Sequence, residues 1–224
     1  MSSSLTYSQR VAHTLKQMLL DGQLAPGDRL NEVALSTTMG LSRAPIREAL
    51  HMLVAEGLVV NRPQRGKFIT SLTEQEIRNS FFVGGVLEGA AAAVCAQDFD
   101  QRDFQHMEAV LQTIHELILR GGTMQQLAPL DTAFHDIIFS RINNPLLVEV
   151  SRHSCLRISK LLFYRHWLNA YTPEEFYLRH VQVLDALRSR EAHTIEQCLR
   201  AHYGESGKRL SRYGAPPAPQ EVRM

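Results

Sequence analysis

Two groups of side chains in this sequence have the types and spacing for chemistry. The first is Arg43 and Arg47, within Gly40-Leu41-Ser42-Arg43-Ala44-Pro45-Ile46-Arg47-Glu48-Ala49-Leu50. Four residues apart on a helix, they project from one side near its start. A guanidinium fork can bond two acceptors of a guanine at once, and its charge suits phosphates. A capped surface helix with two solvated arginines is the plainer alternative. The second group is Asp131 and His135, again four apart, with His180 and His202 on later helical stretches. Three imidazoles and one carboxylate converging inside a bundle would suit a borderline divalent ion, zinc first, with nickel or manganese as alternatives. The chain has ten histidines, so spacing alone leaves open that these residues merely hydrogen-bond one another or water.

The arginine pair needs a helix docked at a fixed angle. Ser42 reads as its N-cap, and Pro45 falls in the first turn, where a missing N–H costs nothing. Ile46, Leu50, Leu53 and Val54 form one apolar face. Upstream, Val11, Leu15, Met18 and Leu19 mark an amphipathic helix ending near Asp21-Gly22, followed by a turn over residues 24–30. Asn31 is placed to cap a short helix over residues 32–39, with Val33 and Leu35 as core candidates, and Gly40 ends it. A short helix, a Gly-containing turn and a second helix make a helix-turn-helix. Two short strands follow, at residues 58–61 and 67–71, around the basic loop Arg62-Pro63-Gln64-Arg65-Gly66. That is the pattern of a wing, whose tip sets Arg65 and Lys67 against a phosphate or the minor groove while Gly66 allows close backbone approach.

After Leu72 the strand signals stop. Thr73 and Glu76 form a capping box for a helix to about Ala96, in which Gly84-Gly85 and Gly89 permit close helix contact or a bend. Further helical patterns cover about residues 100–120, 124–141, 145–169, 173–190 and 192–212. The fold class is therefore mainly α: a winged helix-turn-helix at residues 1–71, an all-α bundle of six to seven helices at 72–213, and a loose Pro-rich tail at 214–224. A hydrophobic fraction of 44% supports a substantial core. The net charge of +1 hides an asymmetry, since residues 1–71 hold eight Lys/Arg against five Asp/Glu. The basic excess sits in the proposed DNA reader. No apolar run approaches the roughly 20 residues a membrane span needs. Cys95, Cys155 and Cys198 read as reduced core thiols in a cytoplasm.

The order and spacing of Pro26-Gly27, Leu30, Glu32, Leu35, Ser42-Arg43, Pro45 through Leu50, Leu53, Glu56-Gly57-Leu58 and Gly66 resemble the DNA-binding domain of GntR-type bacterial transcription regulators. The resemblance covers about residues 6–71 and implies DNA contacts from Arg43, Arg47 and Gly66. Some members also use an arginine where this chain has Val33. Asp131-x-x-Phe134-His135, His180 and His202 are similar to the ligand set of the FCD domain of the FadR-like branch, over about residues 75–212. That resemblance implies a metal ion held by Asp131, His135, His180 and His202, dimerisation, and small organic acids as effectors. Members often carry an arginine three residues before the Leu-Glu pair of the domain's first helix, where this chain has Gly84. Arg152 and Arg157 are the candidate replacement cations for effector binding.

Together these readings predict a cytoplasmic homodimer on double-stranded operator DNA with an inverted repeat. It would be a repressor of a catabolic operon, released when a small organic acid or related metabolite binds at the metal site. Two alternatives use the same Asp/His group: a metal-dependent enzyme and a regulator whose signal is the metal itself. No acid, base or nucleophile accompanies the quartet in sequence, and a winged helix has no catalytic purpose, so no enzyme is expected.

Overall fold

The computed structural model describes residues 5–152 and 159–216. The candidate Arg157 and the thiol of Cys155 lie outside the described residues.

The first helix, α1 (Tyr7–Leu20), opens with a capping box between Thr6 and Gln9 and buries Val11, Leu15 and Leu19. Arg29–Leu30 form a short strand, β1, where a plain turn was expected. Its pairing with the wing explains it, because Arg29 sits opposite Phe68 and Leu30 opposite Lys67. Asn31 caps α2 (Glu32–Met39) through bonds to the amides of Val33 and Ala34, and Gly40 ends it in the left-handed conformation. In α3 (Arg43–Ala55) Ile46, Leu50 and Leu53 are buried against α1, as their spacing predicts. Ser42 has the extended backbone of an N-cap, yet its side chain makes no capping bond. Val33 is 55% exposed and is not a core residue, whereas Leu35 rests against the core. The helix turns Val33 outward beside its capped start. Strands β2 (Val59–Arg62) and β3 (Gly66–Ile69) pair antiparallel around the wing tip, giving the sheet order β1-β3-β2.

The second domain begins with α4 (Glu74–Val94), whose Thr73–Glu76 capping box forms as read from the sequence. Then come α5 (Gln101–Leu119), α6 (Met124–Ser140) and α7 (Pro145–Ser151), followed by two four-residue turns of helix, α8 (Ser159–Leu162) and α9 (Tyr164–Trp167). The long helices α10 (Pro173–Ser189) and α11 (Ala192–Leu210) close the domain. Helices α4 and α11 make its main contact. Small residues allow it: a Cβ on Gly85 would lie 2.9 Å from the Cβ of Tyr203, and one on Gly207 2.8 Å from that of Phe81. Residues 145–169 are not one helix. Leu162, Phe163 and Trp167 all lie buried, and breaking the helix at Phe163 lets them reach the core while α8 and α9 also touch α1 of the first domain.

Residues 214 and 215, at the start of the tail, depart from expectation as well. After a 3-10 turn at Ser211–Tyr213, the amide of Ala215 donates to the carbonyl of Leu72 at 2.8 Å. Gly214 lies so close to Thr73 and Glu74 that a Cβ there would meet the Glu74 amide at 2.3 Å. Residues 214–215 are therefore strapped to the connection between the domains.

Candidate metal centre and nucleic-acid interface

Three helices bring the histidines together. Helix α6 presents Asp131 and His135 one turn apart, α10 carries His180, and α11 carries His202. The ring centroids stand 5.7 Å apart for His135 and His180, 5.2 Å for His135 and His202, and 5.0 Å for His180 and His202. One nitrogen of each ring lies within 4.8 Å of the others. The edge of Phe134 meets His180, fixing that ring's plane.

The hydrogen bonds leave lone pairs aimed inward. His180 Nδ1 donates to the carbonyl of Phe176 at 2.8 Å. A carbonyl only accepts, so Nδ1 holds the proton and Nε2 keeps its lone pair. His180 Nε2 and His202 Nδ1 are buried without a hydrogen-bond partner. His135 Nδ1 is 2.7 Å from Glu88, whose other oxygen accepts from the Tyr203 hydroxyl. A carboxylate behind an imidazole is the arrangement that orients a metal ligand. Buried polar atoms normally find partners, so the orphaned nitrogens are the observation that a divalent ion fits. Asp131 Oδ1 lies 3.3 Å from His180 Nε2, and its Oδ2 is paired with the ammonium of Lys160.

The electrostatics follow from these neighbours. Burial works against a charge on Asp131, but Lys160 and His180 beside it hold its carboxyl well below the usual range. Burial, together with His180 and His135, pushes His202 well below an ordinary imidazole, so it stays neutral. Burial would do the same to His135, yet the Glu88 carboxylate holds it above its ordinary value. The cavity beside the histidines is about 30 Å³, lined by Asp131, His135, His202, Lys160, Trp167 and Ser206 among others.

Of the expected effector cations, Arg152 does not reach this cavity. It is paired with Asp136 and lies over the Phe139 ring, 5.0 Å from its centroid. Among the described residues, Lys160 is the cation that lines the pocket. It escaped the sequence reading because residues 145–169 were taken as a single helix. Glu88 left a clearer signal, as the one charge in an apolar run from Ser80 to Ala96.

On the first domain, Arg43 and Arg47 project from the exposed side of α3, and Arg65 and Gly66 are exposed at the wing. Gln64 and Gly66 both take positive φ there, 61° and 99°, which turns the loop tightly. Lys67 is turned inward, its side chain 16% exposed, onto Glu32 at 3.0 Å. The same carboxylate lies 3.3 Å from Arg47 and 3.9 Å from Arg43. The hydrogen bond from Lys67, with Arg47 adding to it, holds the Glu32 carboxyl below its usual range against the pull of burial. Glu32 thus ties the helix arginines to the wing, a role that no spacing in the sequence displays.

Comparison with known proteins agrees with this geometry. Residues 7–69 match the bacterial regulatory proteins of the gntR family, and residues 81–205 match the FCD domain. An uncharacterized HTH-type transcriptional regulator, YdhC of Bacillus subtilis, is 26% identical, the match covering 91% of each chain. The HTH-type transcriptional repressor RspR of Escherichia coli is 24% identical over 88% of this chain and 86% of its own. Among solved structures, McbR/YncC of E. coli has the same fold, with a TM-score of 0.68 at 22% identity, covering 94% of this chain and 99% of that one.

Proposed function

This chain belongs to the gntR family of bacterial regulatory proteins and carries an FCD domain, and on that premise we propose that it is a repressor whose grip on operator DNA is set by a ligand at the histidine cluster. It is a DNA-binding transcription regulator and not an enzyme. The finer reading is that Arg43 and Arg47 read bases in a major groove, and that Arg65, Gly66 and Lys67 hold the flanking backbone. His135, His180 and His202, with Asp131, hold a divalent ion, zinc first. When bound, the ion supplies a Lewis-acid position that an effector carboxylate or hydroxyl can occupy. A second copy of the chain completes a two-fold reader for an inverted repeat. No helix among the described residues is long and apolar enough to cross a membrane, in keeping with work on cytoplasmic DNA. Repression is supported by the likeness to RspR, which is named a repressor.

The observation that carries this reading is the pair of orphaned nitrogens, His180 Nε2 and His202 Nδ1, inside a domain joined to a complete winged helix. The test has two arms. Replacing both Arg43 and Arg47 with alanine should abolish operator preference, each base-reading arginine being worth on the order of 1–3 kcal/mol. Protein purified without chelator or histidine tag should carry a divalent ion or take one up at neutral pH. Intact operator binding in the double variant would refute the first arm, and refusal of zinc, nickel and manganese the second. The small cavity favours a second reading, in which the ion alone is the signal, since about 30 Å³ is roughly one water's share of liquid volume. Operator affinity with and without zinc, no organic ligand present, separates the two.

A further inference from the structure

We propose that Lys160 is the anion-reading residue of this pocket: its ammonium leaves Asp131 to take the carboxylate of the effector. The proposal rests on the metal-and-effector reading above and names the ligand class and the residue that selects it. Lys160 lines the cavity with a side chain only 14% exposed, paired to Asp131 and lying 4.7 Å from the Trp167 ring centroid. Among the described residues it is the cation placed for the role assigned from sequence to Arg152 and Arg157.

Charge balance points to an anion. Among the described residues at the pocket, the carboxylates are Glu88 and Asp131 and the ammonium is Lys160. Adding a divalent ion among neutral imidazoles leaves one positive charge uncompensated, and an uncompensated buried charge is strongly unfavourable. Arg179, which donates to the His202 carbonyl, adds to the positive side. A carboxylate reduces that excess. Size points to movement of Lys160 in particular. The cavity is small, about 30 Å³, and two of the imidazoles are held in place. His180 is wedged between Phe134 and Phe176, and His135 is held by Glu88. Lys160 swings on a flexible four-carbon stem from the short segment α8. That segment, with α9, also rests on α1 of the winged helix, where Arg165 fills the space beside Gly22. Drawing Lys160 toward an anion therefore moves the wall that the DNA-binding domain leans on.

The test uses the full-length zinc-loaded protein with acetate as the probe, against equal concentrations of chloride. Variants are Lys160→Met, Lys160→Gln and Lys160→Arg. Zinc content is measured by elemental analysis, and acetate affinity by thermal shift. Acetate should raise the melting temperature of the wild type. The Met and Gln variants should keep zinc and lose acetate affinity by about tenfold or more, as expected for a lost charge-assisted bond. The Arg variant should retain most of it. If either neutral variant holds zinc and binds acetate as the wild type does, Lys160 is only the counter-ion of Asp131 and the proposal fails. A zinc-loaded wild type that ignores acetate overturns the carboxylate class while leaving the metal site standing. A wild type that takes no zinc brings down the metal reading itself, and this proposal with it.

Discussion

Replacing Glu32 with glutamine should separate affinity for DNA from discrimination between sequences. The substitution keeps shape and removes a carboxylate that stands 3.0 Å from Lys67, 3.3 Å from Arg47 and 3.9 Å from Arg43. Both arginines are more than half exposed, so their pairs contribute little to folding. The loss falls on the Lys67 pair and should be roughly 1 kcal/mol. Its pH dependence has a definite sign. The folded-state pKa of Glu32 is depressed, first by the Lys67 hydrogen bond. The stabilisation is therefore present above the ordinary carboxylate range and lost as pH falls through the lower folded value. The variant should lack that acid-side loss. On DNA, one negative charge disappears from a cationic face. Affinity for any duplex should rise, and the slope of log affinity against log salt should steepen by roughly 0.9. The freed arginines are no longer held in one orientation, so preference for operator over scrambled duplex should fall by on the order of 1 kcal/mol, roughly fivefold. Fluorescence anisotropy on a duplex selected from a random pool, beside its scrambled counterpart, measures both. Equal loss on the two duplexes would mean that Glu32 acts only through folding, and the orienting argument would be refuted.

Other expectations follow from the same contacts. Gly85→Val should drive a side chain into Tyr203 and the backbone at Arg200, costing on the order of 1–3 kcal/mol, visible as a lower melting temperature with the winged helix still able to bind DNA. His202→Ala should weaken metal retention, read by competition with a coloured chelator, while basal operator affinity stays within about twofold because His202 lies on α11, away from the helix arginines and the wing. Arg165→Ala should leave metal content and operator affinity in place and reduce the effect of any ligand on DNA binding, since it removes a contact between α9 and the turn after α1 at Gly22 without touching either site. Unchanged ligand response in that variant would assign the coupling to the connection at Leu72–Thr73 instead.

How much of this was legible in the sequence depended on the range of the interaction. The recognition helix and wing were readable because caps, apolar spacing and turn residues act over a few positions. The i,i+4 pair of Asp131 and His135 was readable for the same reason, and the family's motif added His180 and His202. Contacts between distant elements were not. Glu32 meets Lys67 across 35 positions, and only the folded wing brings them together. Lys160 was hidden by a stretch that reads as one helix but breaks at Phe163 to bury Leu162 and Trp167. Arg152 has the charge wanted of an effector anchor, yet its helix turns it to Asp136. The tail reads as loose from its prolines, but Gly214 offers no side chain and so lets the backbone lie against Thr73 and Glu74. Val33 failed as a core residue because apolar character in an eight-residue helix does not specify which face is inward.

The account turns on control of the winged helix by the histidine cluster. Its most direct test is operator affinity of the zinc-loaded wild type and of His135→Ala, each with and without a ligand found by thermal-shift screening of small carboxylates. The account predicts that the ligand weakens operator binding of the wild type by about tenfold or more and leaves the variant, with its basal affinity intact, unmoved. Equal weakening in both proteins would place the signal elsewhere in the chain and contradict it.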